Sequence, residues 1–140
     1  MADTIFLKHI KTQKDGKENG WMIPIYNKEE PYFSSYNLNF VYASCILAGN
    51  VKGPHLHKKR ECRLVCIKGE VELIVREEGE YRRYILSGSN PNMVTIKAGN
   101  PFMVRCGELS TEGILLNFAN HTWKQEDQDN YVPEDWNYKD

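Results

Sequence analysis

Lys52-Gly53-Pro54-His55-Leu56-His57-Lys58-Lys59-Arg60-Glu61-Cys62-Arg63-Leu64-Val65-Cys66-Ile67-Lys68-Gly69 is the stretch on which the reading of this chain turns. It gathers two histidines, a carboxylate and several cations, then closes on a strand-like run and a glycine. Side chains alternate faces along a strand, so His55 and His57 share a side, and Glu61 and Arg63 share one with each other. If the turn between the two pairs keeps register, all four point one way and Leu64 and Cys66 the other. Imidazoles, a carboxylate and a guanidinium aimed into one cavity are costly unless that cavity is wet or functional.

Outward from this stretch, strand and turn signals follow at short, regular spacing. Residues 5–10 suggest a first strand, 11–20 a polar loop, and 21–26 an edge strand holding Pro24, which cannot donate to an interior ladder. Further strands are expected over 39–47, 71–76, 81–86, 93–96, 102–106 and 114–118, with a hairpin turn at 77–80. No segment carries a sustained 3.6-residue apolar period, although 125–129 has room for one helical turn. Many short strands separated by turns imply an all-β sandwich or closed barrel in a single domain. Residues 122–140 form an acidic, aromatic C-terminal extension with Trp123, Tyr131, Trp136 and Tyr138. It reads first as a segment packed across the barrel, and alternatively as a flap over the site or a subunit contact.

Composition narrows the function. In 140 residues, 41% are apolar and 26% charged, as in an ordinary folded domain, and the formal net charge is −1. No global basic field draws the chain to nucleic acid or a membrane, so an anionic ligand must be met by a local group of cations. No apolar run approaches the roughly 18 residues of a membrane helix, and the N-terminal residues carry no signal-peptide core. Cys45, Cys62, Cys66 and Cys106 form no CxxC pair, and Cys62 and Cys66, four apart on a strand, read as small apolar residues, which suits a reducing cytoplasm.

Three readings of the histidine stretch compete. Both imidazoles could be satisfied surface groups beside a solvated KKR run. HxH followed by Glu61 could supply nitrogen and oxygen ligands to Mn, Fe, Ni or Zn. A fourth ligand would have to come from a later strand, where Gly99-Asn100-Pro101-Phe102 offers a phenyl ring instead of an imidazole. The third reading is acid–base chemistry: a neutral imidazole removes a proton beside a carbonyl, and a fixed cation such as Arg63 steadies the enolate. Glu61 would then orient an imidazole or Arg63. Lys52 and Arg60 would meet a diphosphate, and Arg76 and Tyr84 on the following hairpin are further expected substrate contacts.

HxH, Glu61 and Gly69 resemble the first cupin motif, and Gly99-x-Pro101 with Asn117 resembles the second, its histidine replaced by Phe102. More narrowly, KGPHLHKKRECRLVCIKGEVELIV and the WxxxDxD pattern from Trp123 to Asp129 are similar to RmlC-like cupins of nucleotide-sugar metabolism. These are the dTDP-4-dehydrorhamnose 3,5-epimerases and the dTDP-4-keto-6-deoxyhexose 3,4-ketoisomerases. The resemblance implies a cupin (jelly-roll) barrel, a homodimer joined through N-terminal strands, a nucleotide-sugar substrate, and proton abstraction alpha to a C4 carbonyl without metal or organic cofactor. It maps the epimerase base to His55, the ketoisomerase base to His57 and the ketoisomerase tyrosine to Tyr42. It also implies enolate stabilisation by Arg63 and phosphate binding by Lys52, which stands where the family has arginine. One departure is visible: where the epimerases carry a tyrosine acid, this chain has Ile114-Leu115-Leu116. Classical double epimerisation would need a substitute donor from Tyr42, Tyr84 or Cys106. Ketoisomerisation can proceed from one face.

Overall fold

The computed structural model describes residues 4–34, 36–108, 111–122 and 129–140. Eleven strands and one short helical turn are found among them: β1 (Thr4–Phe6), β2 (Ile10–Lys14), β3 (Lys17–Met22), α1 (Pro31–Ser34), β4 (Phe40–Ile46), β5 (Val51–His55), β6 (Cys62–Lys68), β7 (Glu70–Glu77), β8 (Glu80–Ser87), β9 (Asn92–Ile96), β10 (Phe102–Arg105) and β11 (Gly113–Ala119). Five strands form one sheet in the order β1-β9-β6-β11-β4, and four form a second in the order β5-β10-β7-β8. Every strand pair is antiparallel. The two sheets share one apolar core, to which β6 sends Cys62, Leu64 and Cys66, β11 sends Leu115, and β7 sends Val71, Leu73 and Val75. This is a cupin barrel.

The alternation of β6 explains why its sequence reads as almost continuously apolar. Cys62, Leu64 and Cys66 face the barrel interior, while Val65 and Ile67 face a second cluster built on Phe33, Met93 and Phe118. Ile25, Tyr32, Phe33, Tyr36 and Leu38, two of them on α1, cover the outer face of the five-stranded sheet. Both faces of β6 are therefore dry, and each fully buried aliphatic side chain there contributes on the order of 1.5–3 kcal/mol.

Three expectations fail near the N-terminus: the first strand read over 5–10 ends at Phe6, and Ile10 already belongs to β2. Residues 11–20 are not a loop: β2 and β3 make a hairpin, paired from Ile10↔Met22 to Lys14↔Lys17. Its turn, Asp15-Gly16, has φ of 54° and 75°, the two consecutive left-handed residues of a tight hairpin turn. The edge strand read over 21–26 stops at Met22, and Pro24 to Tyr26 pair with no strand. The turn at Glu78-Gly79, with φ of 51° and 80°, joins β7 to β8 as expected.

The end of the chain is tied to the barrel at several points. Leu56 and Tyr131 exchange two backbone hydrogen bonds, of 2.7 and 2.9 Å. Trp136 and Tyr138 pack their rings against Tyr81, Asp135 pairs with Arg76, and Asp140 with Arg105. The helical turn read over 125–129 falls outside the described residues, apart from Asp129. Among the described residues no helix is long and apolar enough to cross a membrane.

Candidate active site

Between the two sheets lies a cavity of about 390 Å³. Its depth is apolar, formed by Ile46, Leu64, Val104 and Leu115; towards the mouth stand Tyr42, Lys52, His55, His57, Arg60 and Asn130. β4 projects Phe40, Tyr42, Ser44 and Ile46 inward at every second position, and the neighbouring β11 adds Leu115 and Asn117. β5 delivers Lys52 and His55, and the chain leaving it delivers His57 and Arg60.

The two histidines stand side by side, with ring centroids 6.3 Å apart and planes 10° from parallel. Phe102 lies against both, its centroid 5.8 Å from His55 and 5.6 Å from His57. Burial pushes both imidazoles below their ordinary value, and the Arg60 charge acts in the same direction. Each ring also has a hydrogen-bond partner at the C-terminal end of the chain. Asn130 bonds His55, and the backbone carbonyl of Asp129 meets Nδ1 of His57. A carbonyl can only accept, so Nδ1 carries the proton in this contact and Nε2 keeps its lone pair.

Arg60 is 6% exposed. It donates from a terminal nitrogen to the Tyr42 hydroxyl at 3.4 Å, and its Nε has no hydrogen-bond partner among the described residues. A guanidinium buried beside a cavity with an unused donor is suited to an anion that enters from outside. Burial raises the Tyr42 phenol, which therefore remains a protonated donor at neutral pH.

Arg63 does not point into the cavity. It lies on the other face of β6, over the rings of Tyr36 at 4.0 Å and Phe33 at 5.3 Å, and donates to the backbone carbonyl of Tyr32. The reason is the turn over 58–61. The carboxylate of Asp129 accepts from the backbone N–H groups of Lys58, Lys59 and Arg60, each at 2.8 Å, and folds the chain so that register is not preserved. Arg60, Cys62 and Leu64 then continue the histidine side, and Arg63 leaves it.

Glu61 is likewise outside the cavity lining. Its backbone N–H donates to Asn120 and its carbonyl accepts from the Tyr36 hydroxyl. Arg76 pairs with Asp135 on the outer surface, and the Tyr84 hydroxyl meets the Glu77 carboxylate. The structure thus brings together His55, His57, Tyr42, Lys52 and Arg60, and leaves Glu61, Arg63, Arg76 and Tyr84 elsewhere. Asp129 and Asn130 enter the site without having been singled out; the WxxxDxD pattern ending at Asp129 was the available signal.

The donor set does not suit a cupin metal centre. Glu61 is turned away, Phe102 fills the place of a third imidazole, and the described residues hold no cluster of three or more His, Cys, Asp or Glu able to bind an ion.

The family described as "FdtA: WxcM-like, C-terminal" matches residues 5–139. No curated protein sequence matches. Among solved structures, the chain is similar to a dTDP sugar isomerase from Desulfovibrio desulfuricans G20, with TM-score 0.78 and 18% identity over 96% of this chain and 85% of that one. It is similar to QdtA, a sugar 3,4-ketoisomerase from Thermoanaerobacterium thermosaccharolyticum in complex with TDP, with TM-score 0.72 and 21% identity over 96% and 89%. It is also similar to CapF with the inhibitor 3-isopropenyl-tropolone, with TM-score 0.60 and 20% identity over 66% of this chain, which spans only 27% of the CapF chain. At these identities the structural likeness shows the shared barrel. The match to the family profile runs through nearly the whole sequence, and the chain belongs to the FdtA, WxcM-like C-terminal family.

Proposed function

We propose that this protein is a nucleotide-sugar isomerase, acting on a dTDP-4-keto-6-deoxyhexose-type substrate in deoxysugar or surface-polysaccharide synthesis. The observation that carries the reading is one half-buried and one buried imidazole, both disfavoured in the charged form by burial, sharing a cavity with a buried guanidinium whose Nε has no partner among the described residues. His57, with Nε2 unprotonated, takes the proton alpha to the C4 carbonyl. Negative charge moves to the C4 oxygen, where Arg60 steadies it in the role expected of Arg63. His55 passes the hydroxyl proton of the neighbouring carbon to that oxygen, leaving an enediolate whose charge now lies on the neighbouring oxygen. Return of the first proton from His57 to C4 then turns the neighbouring C–O⁻ into the new carbonyl and leaves the proton from His55 in place as the C4 hydroxyl. Nothing is oxidised or reduced overall. Lys52 at the mouth meets phosphate. Structures of relatives with TDP bound are consistent with this class of ligand.

Ketoisomerisation is favoured over double epimerisation by the lining of β11. The side chains it turns inward are Leu115 and Asn117, and the described wall opposite the histidines offers only Tyr42 as a phenol donor. Single epimerisation with Tyr42 returning the proton is the second reading.

The test is entry of solvent deuterium into the ring of dTDP-4-keto-6-deoxyglucose, followed by NMR. Its pH dependence has a defined sign. The base works unprotonated, and burial lowers its pKa, so the acid limb of kcat/KM is expected below the ordinary imidazole value of 6.5. A limb above that value, or no exchange at any pH, would count against the mechanism.

We also propose that a second copy of the chain covers the N-terminal ribbon. Among the described residues β2 and β3 pair only with each other, a two-stranded arrangement that is marginal alone, and Phe6, Trp21 and Met22 are 77%, 51% and 50% exposed. Light scattering is expected to give twice the 16.3 kDa chain mass, and a Trp21→Lys variant to move towards the single mass. A monomeric parent protein would remove this proposal.

A further inference from the structure

We propose that Asp129 is a positioning residue that sets the tautomer of His57 and the aim of Arg60. Its two functional groups act on the same turn from opposite sides. The backbone carbonyl receives the Nδ1 proton of His57. The carboxylate, in a residue only 7% exposed, receives the backbone N–H groups of Lys58, Lys59 and Arg60. Three adjacent donors on one turn would otherwise lack partners, and bonds to an ionised acceptor are the stronger kind. Burial raises this carboxyl, but the three N–H bonds outweigh it and hold the group below its usual value.

The chemistry at stake is which nitrogen of a neutral imidazole carries the proton. Free histidine favours Nε2–H, which here would leave the face towards the cavity without a lone pair. The Asp129 carbonyl reverses that preference. It also accepts a stronger hydrogen bond once the ring becomes cationic, and so supports the base after proton transfer. Asn130 on His55, and the backbone bridge from Tyr131 to Leu56, the residue between the two histidines in sequence, extend the same arrangement. The titratable and charged groups around His57 are His55 and Lys52 from β5, Arg60 from the turn, Tyr42 from β4, and Asp129 itself.

This inference rests on the reading of His57 as the base, and the experiment separates the two. Imidazole 15N NMR of the full chain is expected to show His57 protonated at Nδ1 and bare at Nε2. In Asp129→Ala the carbonyl loses its anchor, so the spectrum moves to mixed tautomers. kcat falls by about 10²-fold, as for a misplaced catalytic group, with little change in KM. Asp129→Asn, which keeps one acceptor oxygen, lies between. A parent protein with the proton on Nε2 would overturn the proposal even if the variants did not fold. So would an Asp129→Ala protein that kept both the Nδ1 tautomer and kcat. A parent with the expected tautomer that is lost in Asp129→Ala, but with no ring deuteration, would uphold the positioning and remove the sugar reading.

Discussion

Replacement of His57 by asparagine is expected to slow deuterium entry into the sugar ring by about 10²–10⁴-fold, the range that a positioned general base supplies. The amide fills much of the space of the imidazole and can still donate to the Asp129 carbonyl, so the turn that holds Arg60 survives. What it lacks is a nitrogen lone pair basic enough to take a carbon-bound proton at neutral pH. His55→Asn provides the contrast. His55 moves a proton between oxygens, a transfer that water in the cavity mouth can partly replace, so its loss is expected to be the smaller of the two. If the ranking reverses, His55 is the base. If both variants exchange at the parent rate, neither imidazole is, and the proposed chemistry falls with them.

The second large effect concerns stability. Gly69, between β6 and β7, has φ of 75°, and a Cβ added there would collide with the backbone carbonyl oxygen of Glu112. Gly79, in the β7–β8 turn, has a similar φ of 80°, yet a Cβ there meets nothing within 4 Å. Alanine at Gly79 therefore carries only the left-handed backbone cost of about 1–2 kcal/mol. Alanine at Gly69 adds a displacement of packed backbone, about 1–3 kcal/mol more. For a chain of this size Gly69→Ala should lower Tm by roughly 10 °C and Gly79→Ala by about half as much. Equal shifts in thermal unfolding would mean that the loop holding Glu112 yields freely to the methyl group.

The barrel was legible because strand alternation and turn residues are local signals. The core strands β4, β7, β8, β9, β10 and β11 all lie within a residue or two of their expected bounds. The β2–β3 hairpin was missed although Asp15-Gly16 is a strong hairpin signal, because its flanking strands, exposed on both faces, show no apolar alternation. The site was legible in part. His55 and His57 share a face because they are two apart on extended chain. Arg63 was assigned to that face by carrying parity through residues 58–61, and parity survives only where the backbone stays extended. The contact that breaks it comes from Asp129, some seventy positions downstream, and nothing near the turn records it. Arg60, expected as a phosphate contact beside the solvated Lys58 and Lys59, is consequently the guanidinium that faces the cavity.

The strand order β1-β9-β6-β11-β4 has a consequence for synthesis on the ribosome. β4 leaves early, but its sole partner in that sheet among the described residues is β11, which pairs Ala119 with Phe40 late in the chain. At about 5–20 residues per second, an apolar edge waits several seconds for the strand that will cover it. Masking that edge during synthesis is expected to raise the soluble yield, and slow translation between β4 and β11 to lower it.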